Sequence, residues 1–85
     1  MNVQEQVRGF IVESFYLSDP QELTDDTSLI DSGIVDSTGM MDIILFLEST
    51  YGIHIEDHET VPDNLETITR IADFVARKRP AAAEV

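Results

Sequence analysis

The most constraining feature of this chain is the stretch from Met40 to Leu47, in which only Asp42 is polar. Asp36-Ser37 stands just before it and Tyr51-Gly52 just after it. Asp36 or Ser37 offers an oxygen to cap the first turn of a helix. Gly52 supplies the left-handed residue on which helices commonly end. These boundaries predict a helix that opens at Asp36 or Ser37 and runs to about Tyr51. At about 100° per residue, Met40, Ile43, Ile44 and Leu47 share one side, with Tyr51 below them. Met41 and Leu45 point elsewhere, close to the azimuth of Ser37 and Glu48. A helix apolar beyond a single stripe is either nearly surrounded by other helices or meets something outside the chain.

The remaining segments read as partners for that helix. From Val3 to Leu17, the residues Val3, Val7, Phe10, Ile11 and Ser14 follow helical spacing, and Phe15 and Leu17 widen the stripe. Ser18-Asp19-Pro20 then stops it, because proline cannot continue the hydrogen-bond ladder. A long connection follows from Ser18 to Asp36, with Leu23, Leu29, Ile30, Ile34 and Val35 as anchors and a turn of helix at Gln21–Leu23. Ile53-His54-Ile55 alternates and reads as an extended connector with both isoleucines turned inward. Asp57–Val61 predicts a short helix closed by Pro62. The last helix runs from about Glu66 to Arg79, with Leu65, Ile68, Ile71, Ala72 and Val75 facing the core and Phe74 at the edge. Its terminal Arg77-Lys78-Arg79 complements the helix dipole. The expected fold is all-α: a small bundle of three main helices and one short one, with a long loop between helices 1 and 2. The 85 residues allow one domain, expected over 1–79, with 80–85 as a disordered tail.

Charge narrows the function. Seventeen Asp and Glu face five Lys and Arg, for a net charge of −12. From Gly9 to Thr69 there is no Lys or Arg, while fourteen acids fall there. Nucleic acid and anionic membranes would repel such a chain, and basic protein surfaces would be steered toward it. Cysteine is absent, which removes thiol nucleophiles and thiolate metal sites. No apolar run approaches the roughly 18 residues of a membrane span, and the first residues lack a signal-peptide profile. A cytoplasmic monomer is the expectation.

Ser37 is the residue best placed for chemistry. It follows a long loop and opens the best helix, where unpaired backbone N–H groups and a partial positive charge favour an anion. A phosphate ester there would sit in a suitable field. The plain alternative is that Asp36-Ser37 is an ordinary capping pair. Three sharper readings fail. Ser37 with His54 or His58 lacks a nucleophile elbow. His54 and His58 with Glu56 and Glu59 do not share a helical face as zinc ligands would. The Asp25-Asp26 region has Leu29 where a calcium loop needs an oxygen.

The stretch from Ser28 to Ile43, with Gly33 three residues before Asp36-Ser37 and aliphatic residues after it, resembles the attachment region of the acyl carrier protein family. Leu47-Glu48 and Tyr51-Gly52-Ile53 look like the family's continuation. The resemblance extends from Val3 to about Lys78. It implies that a phosphopantetheinyl transferase attaches 4′-phosphopantetheine from coenzyme A to Ser37, with Asp36 shaping the recognition site. It also implies that the arm's thiol, rather than a protein side chain, carries acyl or aminoacyl groups as thioesters. The chain would then be no enzyme.

The resemblance further implies docking of basic enzyme surfaces, including an acyl or aminoacyl ligase, on Asp36, Thr38, Met41, Asp42, Leu45 and Glu48. That would account for Met41 and Leu45, for which core packing is the alternative. Thr38 replaces the leucine usual in fatty-acid carriers, and Gly39 follows it. The Ser-x-Gly arrangement looks more like discrete aminoacyl carriers, such as the D-alanyl carrier proteins, and carriers of specialised pathways. Pro62-Asp63-Asn64 lengthens the connection before the last helix. The competing reading is an acidic helical adaptor that binds basic proteins and bears no prosthetic group.

Overall fold

The computed structural model describes residues 3–15, 17, 21 and 23–78. Residue 79 and the expected tail at 80–85 lie outside the described residues, as do Ser18-Asp19-Pro20 and part of the expected turn at Gln21–Leu23. Among the described residues four α-helices appear in the order α1 (Val3–Ser14), α2 (Ser37–Tyr51), α3 (Pro62–Leu65) and α4 (Ile68–Lys78). A 3-10 turn at Asp57–Glu59 precedes α3. There is no strand among the described residues.

Each long helix gives one apolar stripe to a shared core. Val7 and Ile11 come from α1, Ile43, Ile44 and Leu47 from α2, and Ile68, Ile71, Phe74 and Val75 from α4. Leu23, Leu29 and Val35 drop in from the long loop, and Ile53 and Ile55 from the connector after α2. Burying a side chain of this size contributes about 1.5–3 kcal/mol, which is what gives isolated unstable helices a reason to form. The loop is stitched down as well as buried. Arg8 donates to the Leu23 carbonyl and pairs with Asp25. The backbone N–H of Leu29 donates to the Glu66 carbonyl (2.9 Å), and that of Thr69 to the Asp25 carbonyl (3.0 Å).

Several boundaries move from their sequence-based positions. Helix α1 ends at Ser14 rather than Leu17. Its ladder loosens there: the Leu17 N–H reaches the Val12 carbonyl, five residues back, at 3.3 Å. Ser14 is exposed. Pro62 opens a helix instead of closing one. Its ring presets the helical φ, and its missing N–H is one that a first turn leaves unpaired anyway. The expected Asp57–Val61 helix shrinks to the 3-10 turn, and α4 starts at Ile68 rather than Glu66. Thr67 caps that start, its Oγ1 accepting from the Arg70 N–H at 3.1 Å. Of the loop anchors, Ile34 is half-buried, and Ile30 is 46 % exposed instead of packed in the core. Phe74, placed at the edge by periodicity, is buried.

Candidate functional site

The start of α2 is held from three directions. Asp36 sits in extended conformation (φ −96°, ψ −178°) as its N-cap. Its Oδ1 accepts from the Gly39 N–H at 2.6 Å, and its carbonyl accepts from the Met40 N–H at 2.9 Å. Below, Val35 is buried, and its N–H donates to the Leu29 carbonyl at 3.0 Å. From the side, the Phe15 ring lies against Gly39. A Cβ at Gly39 would stand 2.5 Å from Phe15 Cε1, so no larger residue fits without displacing the ring. Gly39 is buried; Asp36, Ser37 and Thr38 are exposed.

Ser37 is therefore the first helical residue, with its hydroxyl on the surface of a rigid first turn. The N–H groups of a first turn have no helical acceptor, and the Asp36 carboxylate engages that of Gly39. Those of Ser37 and Thr38 and the helix dipole remain to favour an anion beside the hydroxyl. Ser37 also stands at the edge of a groove of about 350 Å³ between α2, α3 and the preceding loop. Ile30, Met41 and Val61 rim this groove, and Ile44 and Leu65 line it more deeply. Among the described residues, three of the four large exposed apolar side chains thus converge beside Ser37; the fourth is Leu45, 58 % exposed.

The residues singled out on α2 have different environments. Thr38, Met41, Asp42 and Leu45 are exposed. Met41, 54 % exposed, leans toward the groove beside Ser37. Asp42 and Leu45 lie on the opposite flank, toward α1. Glu48 is only half-exposed, and its carboxylate is engaged within the chain. Its Oε2 accepts from the Ile55 N–H at 2.9 Å and lies 3.6 Å from His54 Nδ1. Sequence periodicity places Glu48 on the Ser37 side of α2 but says nothing of the connector that folds back onto it. Residues missed by sequence reasoning include Phe15 and Val61. The Ser-x-Gly pattern was the one local signal that something packs closely on this turn.

The other chemical candidates stay apart. His54 is 77 % exposed and pairs with Glu56 (3.1 Å) as well as Glu48. It follows the far end of α2 from Ser37, and a 15-residue helix is roughly 22 Å long. Among the described residues no group of three or more His, Cys, Asp or Glu is placed to hold a metal ion. No described helix is long and apolar enough to cross a membrane.

An exposed serine thus opens a capped helix on this helical frame, at the edge of an apolar groove. The family model described as a phosphopantetheine attachment site matches residues 5–75, and the chain belongs to that family. The D-alanyl carrier proteins of Streptococcus pyogenes serotype M5 (strain Manfredo) and serotype M1 are each 32% identical to it over 75 residues, covering 88% of this chain and 92% of theirs. A chain in a structure titled "Crystal structure of FAD-dependent dehydrogenase" superposes with a TM-score of 0.72 at 26% identity, covering 81% of this chain and 97% of that one. The protein is a carrier whose cofactor is covalently attached 4′-phosphopantetheine. The reading as an adaptor without a prosthetic group is replaced by this one.

Proposed function

We propose that Ser37 bears the 4′-phosphopantetheine arm and that the chain carries an acyl or aminoacyl group on it, in the cytoplasm, from a loading ligase to later enzymes. The observation that carries this reading is the exposed Ser37 hydroxyl on the first turn of α2, beside an apolar groove. Making the ester joins the Ser37 oxygen to the pantetheine-bearing phosphorus of coenzyme A, breaks that phosphorus's bond to the bridging pyrophosphate oxygen, and releases adenosine 3′,5′-bisphosphate and the serine proton. When attached, the group supplies a thiol that holds cargo as a thioester. The chain's own part is to fix the oxygen in place and to keep it accessible. Asp36 holds the turn, and the unpaired N–H groups of the turn face the new phosphate charge. The likeness to D-alanyl carrier proteins favours a small aminoacyl cargo.

Exposed Thr38 and Met41, beside Ser37, form the surface that the phosphopantetheinyl transferase meets, and Asp42 and Leu45, on the α1 flank of α2, belong to the surface that later basic partners meet. Glu48 holds the connector that follows α2. Apo protein incubated with coenzyme A and a broad-specificity transferase gains the mass of one phosphopantetheine, and Ser37→Ala gains none. No gain under conditions that modify a control carrier overturns the assignment. Asp42→Lys slows loading by the cognate ligase and flattens its salt dependence; an unchanged rate in the folded variant removes Asp42 from the docking surface.

A further inference from the structure

The flank of α2 that faces away from the Ser37 groove carries a built feature of its own. Phe10 of α1 and Phe46 of α2 stack with ring centroids 4.3 Å apart and planes 19° from parallel. Both rings are half-buried, and a shallow depression opens on either side of the stack. One holds Leu45, Asp42 and Ser49; the other holds Gly9, Glu13 and Thr50. Apolar rings and a 58 % exposed leucine are thus edged by the carboxylates of Asp42 and Glu13, with no Lys or Arg among the described lining residues.

Gly9 adds an independent sign. It lies inside α1, is exposed, and a Cβ built on it would meet nothing within 4 Å. Glycine at a helix interior position costs about 1 kcal/mol against alanine, and no contact among the described residues requires it. A bare backbone here lets another surface come close to α1 beside the stacked rings.

We propose that this α1–α2 face is a second docking surface, taking a basic protein surface that sets an apolar side chain against Leu45 and the Phe10–Phe46 stack and Lys or Arg against Glu13 and Asp42. The proposal rests on the carrier reading above and assigns the face to enzymes that work at the arm's tip. The transferase must reach the Ser37 oxygen itself, so it covers the mouth of α2. An enzyme acting at the end of a flexible tether is free to sit further round the helix. A second copy of this chain is a poor occupant, because two chains of charge −12 repel.

The test compares wild type, Glu13→Lys/Leu45→Ala and Gly9→Ala, each first converted with coenzyme A and transferase and then loaded by the cognate ligase. The double variant is expected to raise the ligase KM about tenfold with kcat unchanged, as for loss of an apolar anchor and a steering charge. Its conversion by the transferase is expected to stay within about twofold of wild type, since it touches neither Ser37 nor the α2 mouth. Gly9→Ala is expected to raise Tm and also raise the ligase KM. The proposal is overturned if the ligase KM is unchanged in both variants. Equal slowing of both enzymes also overturns it, as does concentration-dependent dimerisation that Leu45→Ala abolishes. If wild type takes up no phosphopantetheine, the attachment reading itself fails. If wild type is converted and the variants load normally, only the docking face does.

Discussion

The two ends of α2 are built to opposite purposes. At the N-terminal end Asp36, Ser37 and Thr38 lie on the surface, and the structural effort goes into holding the turn beneath them. At the C-terminal end Gly52 turns the chain in the left-handed region (φ 65°) with its N–H on the Glu48 carbonyl. There Ile53 and Ile55 are buried, and Glu48 clasps the Ile55 N–H. One end leaves its polar groups available to another molecule, and the other consumes them inside the fold. Substitutions at the first end should change modification at least as much as stability, whereas those at the second should change stability alone.

The largest effect is expected at Gly39. Gly39→Ala forces a Cβ into the Phe15 ring and should destabilise by about 1–3 kcal/mol, the usual cost of overpacking. Adding Phe15→Leu should recover part of this and part of the modification rate. Urea unfolding and the transferase assay check both; normal modification in Gly39→Ala alone would break the link between the packed turn and the chemistry. Gly52→Ala comes next, at about 1–2 kcal/mol for a Cβ in the left-handed region, with conversion by the transferase unchanged once the protein is folded. Asp36→Ala should cost about 1 kcal/mol as a lost cap and slow modification too, while Asp36→Asn keeps most of the stability. Glu48→Ala should cost about 1 kcal/mol, as a hydrogen bond to a backbone group is removed. Glu48→Gln, which keeps an acceptor, should sit near wild type, and both should be modified normally.

The smallest effect tests the clasp between α4 and the 3-10 turn. The Glu59 carboxyl is held below its ordinary value, first by the Glu56 N–H and then by the Lys78 ammonium. The Lys78 Nζ lies 2.9 Å from Glu59 Oε1. A carboxyl with a lowered folded-state pKa stabilises fully above its unfolded value and loses that contribution as pH falls through the folded one. The stability gap between wild type and Glu59→Gln should therefore be widest near neutral pH and close as pH drops below the ordinary carboxylate range. A gap that does not vary with pH would show that the ion pair contributes nothing measurable.

Much of the frame was legible in the residues. The caps of α2, its apolar side of Ile43, Ile44 and Leu47, and the α4 stripe all follow from spacing and turn chemistry, which act within a few residues. Helix α3 was less legible. Pro62 ends one segment and begins another equally well by local rules, and only the packing of buried Leu65 selects the second. Ile30 was misplaced for a related reason: the turn around it, closed by the Gly33 N–H on the Ile30 carbonyl at 3.0 Å, directs Leu29 inward and leaves its neighbour outside.

Residue order alone determined that an oxygen would stand at the start of a capped, strongly apolar helix in an acidic chain without cysteine, because capping, periodicity and charge are local or additive properties. Only the tertiary structure decided what each azimuth of that helix meets. It turned Met41 toward a groove beside Ser37, put Asp42 and Leu45 on the α1 flank, and engaged Glu48 with the Ile55 backbone. Those outcomes depend on segments distant in sequence coming together, and the period of one helix holds no record of them.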